Sequence, residues 1–120
     1  MTTRRQRRVA ELIHRELSLL LMREVRDPRL AEITITEARV TPDLLSTRVF
    51  FTVLGGEEAQ KEALAGLESA SGFLRTQLAD RVQLRFVPEL SFELDRSAEY
   101  GRRIDQLLEQ VTHSDRPQDE

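Results

Sequence analysis

The chain has 120 residues, 39% of them hydrophobic and none of them cysteine, which fits one globular domain and excludes disulfides, thiolate metal sites and wholesale disorder. No apolar run is long enough to span a bilayer, and the absence of cysteine makes a reducing cytoplasm the expected location. The formal net charge of −3 is unevenly divided: residues 1–29 hold eight arginines against four acids, net +4, and the remainder holds ten basic residues against seventeen acids, net −7.

The opening, MTTRRQRRVAELIHRELSLLLM, is basic and then apolar, as a signal peptide is. Glu11, His14, Arg15 and Glu16 interrupt the apolar part, so no export signal is expected. The spacing instead predicts a helix over residues 3–24. At 100° per residue, Val9, Ile13, Leu17 and Leu20 share one face, and Arg4, Arg8 and Arg15 share the opposite one. Pro28 disfavours helix at Asp27, which makes VRDPRL the exit turn.

Residues 32–40 alternate as a strand, with Ile33 and Ile35 on one face. Ala38 and Val40 have the opposite parity, which predicts a bulge near Glu37. Pro42 and Asp43 favour a turn, and residues 48–54 form a second strand with Val49, Phe51 and Val53 inward, so the two strands make a hairpin. Glu57 and Glu58 suit the start of the next helix, whose stripe of Ala63, Leu64, Leu67, Ala70, Leu74 and Leu78 continues through Gly72. Residues 82–95 alternate through Leu84, Phe86, Leu90, Phe92 and Leu94, which predicts a long core-facing strand with Pro88 at an edge or bulge. Ser97 caps a last helix carrying Ile104, Leu107, Leu108 and Val111. The order helix, strand, strand, broken helix, strand, helix defines an α+β fold in which the helices cover a three-stranded sheet. Residues 1–112 form the domain, and residues 113–120 form a polar, disordered tail.

Catalytic signals are absent from the pattern. His14 and His113 have no metal-ligand spacing, and there is no Walker loop, dinucleotide fingerprint or nucleophile elbow. No enzyme activity, metal or cofactor is expected. Gly72 is the more informative residue, since a mid-helix glycine costs about 1 kcal/mol relative to alanine. Two readings fit it. Either the helix packs closely against a neighbour there, or it bends and exposes fresh amides that attract phosphate, with Arg75 one turn beyond.

The element order resembles the type II KH fold, in which a GXXG loop clamps a nucleic-acid backbone. Here Ala70, Ser71 and Gly72 stand in its place as an A-x-G kink, a substitution that resembles the bacterial ribosome-binding factor A family. RVAELIHRELSLLLMREVRDPRL resembles that family's opening helix, with its D-P-R-L exit at Asp27, Pro28, Arg29 and Leu30. ITITEARVTPDLLSTRVFFTVLG resembles its hairpin. SASGFLRTQLADRVQLRFVPELSFELDRSAEYGRRIDQLL resembles its kinked helix, last strand and D-x-S-x-x-x-G-x-x-I-D close. The likeness spans residues 5–108.

The resemblance implies a cytoplasmic, monomeric, non-enzymatic factor. It would bind the free small (30S) ribosomal subunit, assist processing of 16S rRNA at its 5′ end and support growth in the cold. One glycine of GXXG is missing and the linker is shorter, so the expected contact is with structured rRNA through scattered arginines. Arg4, Arg5, Arg8 and Arg15 form the basic face of the first helix. Arg75, Arg81 and Arg85 flank the kink and enter the last strand. Only Ala70, Ser71 and Gly72 carry over from the family motif itself. One alternative is a general single-strand RNA-binding KH module, which requires exposed aromatic platforms and is disfavoured with Phe51, Phe86 and Phe92 assigned to the core. Another is a protein-interaction domain using the acidic surface.

Overall fold

The computed structural model describes residues 2–23, 25–82, 84 and 86–115, with side chains described as far as residue 110. Helix α1 (Arg4–Arg23) starts at a reciprocal cap. The Gln6 amide donates to the Thr3 hydroxyl at 3.1 Å, and the Thr3 amide donates to the Gln6 side-chain oxygen at 2.8 Å, so two otherwise orphaned donors are satisfied. The Gln6 side-chain nitrogen donates to the Val40 carbonyl at 2.9 Å. This buried polar residue thereby ties the helix start to the end of the first strand. Val9, Ile13, Leu17 and Leu20 are buried along the face that the periodicity predicts.

A single 3-10 turn, Pro28–Leu30, follows. Asp27 caps it, accepting from the Arg29 amide at 3.0 Å and from the Arg29 guanidinium at 2.7 Å. The Arg29 side chain holds the Asp27 carboxyl below its ordinary pKa. Strands β1 (Ile33–Val40) and β2 (Ser46–Val53) pair antiparallel, and their register shifts between Ile35 and Glu37, where the parity change predicts the bulge. Helix α2 (Glu57–Arg81) crosses back over the sheet, and β3 (Glu89–Leu94) pairs parallel with β2, giving a mixed sheet in the order β1-β2-β3. Helix α3 (Ser97–Asp115) closes the chain. It reaches three residues into the stretch read as a tail, and residues 116–120 lie outside the described residues.

One face of the sheet makes the core. Ile35, Val49, Phe51 and Phe92 meet Val9, Ile13, Leu17 and Leu20 from α1 and Ala63, Leu67, Leu74 and Leu78 from α2, all buried. The other face is polar. There the guanidinium groups of Arg39 and Arg48 lie over the Phe50 ring, 5.0 and 5.2 Å from its centre. Arg39 also pairs with Glu37, and Arg48 with Glu93.

Three expectations need correction. Strand β3 begins only after Pro88, not at residue 82, because proline cannot donate to the ladder. Phe86 therefore lies before the strand and is 52% exposed rather than in the core. Helix α2 is one unbroken helix through Gly72, so no second N-terminus forms there. The last helix does not cover the sheet: Tyr100, Leu107 and Leu108 are more than half exposed. The apolar sheet face is already filled by α1 and α2, and the opposite face, with its paired charges, offers α3 no apolar bed.

Candidate nucleic-acid interface

The N-terminal half of α1 concentrates positive charge where a helix ordinarily avoids it. Arg4, Arg5, Arg7 and Arg8 occupy its first turns, and the first turn holds no acid. All four are exposed. Among the described residues none of them, nor Arg15, forms an ion pair. Cations near a helix N-terminus oppose the macrodipole by about 0.3–1 kcal/mol each at low ionic strength. The free protein therefore holds an electrostatic conflict that a bound anion relieves. Arg15 continues the row about 16 Å along the axis from Arg4 at 1.5 Å per residue. Arg7 belongs to the cluster although it lies off the Arg4–Arg8–Arg15 line by helical angle. The plain clustering RRQRR was the signal for it.

The arginines of the second group are differently placed. Arg75 is half-buried, and its Nη2 donates to the Val87 carbonyl at 2.9 Å. It fastens the segment before β3 to α2. Arg81 Nη1 stands 3.9 Å from Glu16 Oε2 and links α2 to α1. Arg85 lies outside the described residues. In the A-x-G stretch, Ala70 is half-buried, and the Ser71 hydroxyl donates to the Glu68 carbonyl at 2.9 Å. Gly72 is exposed, and the Thr76 hydroxyl donates to its carbonyl at 3.0 Å.

Close packing, one of the two readings of Gly72, belongs instead to another glycine of α2, Gly66. A Cβ at Gly72 would meet nothing within 4 Å, so close packing does not account for it. A Cβ at Gly66 would stand 2.9 Å from Leu30 Cδ2 and 3.3 Å from Arg29 Cβ. Gly66 is what lets the D-P-R-L turn sit directly on α2. Gly72→Ala is accordingly expected to raise unfolding stability by about 1 kcal/mol. Gly66→Ala sets the same propensity gain against about 1–3 kcal/mol of overpacking and is expected to give no gain or a loss. Denaturant melts of the two variants check this, and equal stabilisation by both would contradict the packing at Gly66.

Two grooves join the basic cluster to the Gly72 region. One is lined by Arg5, Val9, Leu84 and Phe86 among others, the second by Gly72, Arg75, Thr76 and again Leu84 and Phe86. No group of three or more His, Asp or Glu side chains among the described residues could hold a metal ion. Among the described residues, no helix is long and apolar enough to cross a membrane.

A mixed three-stranded sheet backed by two helices, with an arginine cluster at a helix start that has no ion pair among the described residues, is the build of a small α+β binding module. The chain belongs to the ribosome-binding factor A family, whose profile matches residues 5–108. It is 49% identical over 111 residues to ribosome-binding factor A of Aromatoleum aromaticum, covering 92% of this chain and 87% of that one. The crystal structure of ribosome-binding factor A from Thermus thermophilus superposes with a TM-score of 0.65 at 28% identity, covering 74% of this chain and 94% of that one. A homology model of Thermus thermophilus ribosome-binding factor A, fitted into a cryo-EM map of its complex with the 30S subunit, gives a TM-score of 0.61 at 30% identity, covering 72% of this chain and 91% of that one.

Proposed function

We propose that this chain is a cytoplasmic, non-catalytic assembly factor that binds the free small ribosomal subunit and its 16S rRNA and assists maturation of the rRNA 5′ end. The observation that carries the reading is the cluster Arg4, Arg5, Arg7 and Arg8, exposed, without ion pairs among the described residues and set against the helix dipole. Guanidinium groups fit phosphate in a two-pronged way. A local patch of this kind can hold an RNA backbone although the whole chain is acidic. Family membership and the fit of a Thermus relative into a 30S complex support the same partner. Residues 1–112 are the RNA-binding unit in this reading, which acts as a monomer, and residues 113–120 are a polar appendage. Arg75 and Arg81 serve it by fixing α2 to its neighbours, and Arg4, Arg5, Arg7, Arg8 and Arg15 meet the RNA. Sedimentation of the chain with purified small subunits, with large subunits as the control, is the test.

A further inference from the structure

Phe86 is a large aromatic side chain left 52% exposed, and it stands on the wall shared by the two grooves. On one side of it lies Arg5, a guanidinium without an ion pair among the described residues. On the other is a groove of about 400 Å³ bounded by Gly72, Arg75, Thr76, Ala79 and Val87, within the size range of small-ligand sites. The Gly72 side of that groove is open, since nothing lies within 4 Å of where a Cβ would stand. Its walls are tied together by the hydrogen bond from Arg75 to the Val87 carbonyl. An aromatic face beside a groove of mixed polar and apolar lining, with a cation just across it, is a pairing by which proteins hold an unstacked nucleotide: the base stacks and the phosphate meets the cation.

We propose that the Phe86 ring stacks on one unpaired base of the bound RNA, seated in the groove beside Gly72, with Arg5 taking the adjoining phosphate. The proposal rests on the reading of the chain as a small-subunit RNA binder. It adds that one contact is to a single-stranded or flipped-out nucleotide and not to duplex backbone. Gly72 then has a use that needs no helix kink, because a bulky side chain there would occupy the base's seat.

The test uses the full chain and purified small subunits. Phe86→Ala is expected to weaken binding by about 5-fold or more, the effect of losing one base–aromatic stack, with an unchanged melting temperature. Phe86→Leu keeps apolar bulk without a π face and is expected to lose as much. Phe86→Trp is expected to restore binding to within about 2-fold of wild type. Wild-type affinity in Phe86→Ala or Phe86→Leu would overturn the stack. If replacing the α1 arginines still weakens binding in that case, the small-subunit reading stands without it. Failure of the unaltered chain to bind would remove both. A photo-crosslinking p-benzoylphenylalanine at position 86 is expected to label rRNA, and adducts only with ribosomal proteins would overturn the proposal.

Discussion

Replacing Arg4, Arg5, Arg7 and Arg8 together with glutamine is expected to flatten the salt dependence of small-subunit binding and to weaken it most at low salt. Each phosphate contact contributes about 0.7–0.9 to the slope of log affinity against log salt, so four contacts supply a slope of about 3. Between 50 and 200 mM salt those contacts alone weaken the unaltered chain by about 60-fold, and the variant lacks that part of the response. Folding is not expected to suffer. All four side chains are exposed, the Thr3–Gln6 cap and the Gln6–Val40 bond remain, and four cations leave the positive end of a helix. The melting temperature should hold or rise. Superimposable salt titrations of the variant and the unaltered chain would mean that the cluster is only solvated.

Phe51→Ala should be the most damaging change to stability, at about 3–5 kcal/mol. Domains of this kind are stable by only about 5–15 kcal/mol, so the variant should be partly unfolded under mild denaturant. Phe51 has no exposed surface, pairs across the central strand with Ile35 and Leu94, and belongs to the core between α1 and α2. Its neighbour Phe50 is the internal control. Phe50 is half-buried on the polar face under Arg39 and Arg48, where a cation–π contact is worth about 0.5–1 kcal/mol. Phe50→Ala should therefore cost clearly less. Urea melts of both variants provide the comparison, and a loss under about 1 kcal/mol for Phe51→Ala would contradict the layering described above.

The two faces of β2 were readable because a strand alternates with period two and Val49 and Phe51 fall on one parity. The same period placed the bulge, since Ile35 and Val40 can both be buried only if the register slips between them. It misled at Phe86. Alternation through Leu84, Phe86, Leu90 and Phe92 is one-dimensional and carries no sign of where pairing begins. Pro88 was the sign, and its missing donor outweighs the pattern. The two glycines of α2 show another limit: Gly66 and Gly72 sit in similar helical sequence, and the Leu30 and Arg29 side chains from a distant turn distinguish them. The apolar stripe on α3 is plain in the sequence, but whether a helix docks depends on which sheet face remains free. The arginines divide for the same reason. Arg4 and Arg8 could be placed by angle alone, whereas the Arg75 bond to a carbonyl 12 residues on and the Arg81 link to Glu16 exist only in three dimensions.

The central claim is recognition of the small ribosomal subunit through a local basic patch on an acidic protein. The direct measurement is sedimentation of the full chain, at fixed moderate salt, with purified small subunits and separately with large subunits. The expected result is saturable co-sedimentation with the small subunit, close to one chain per particle, and little or none with the large one. Equal partition onto both particles would reduce the patch to non-specific RNA affinity, and no co-sedimentation with either would contradict the proposed function outright.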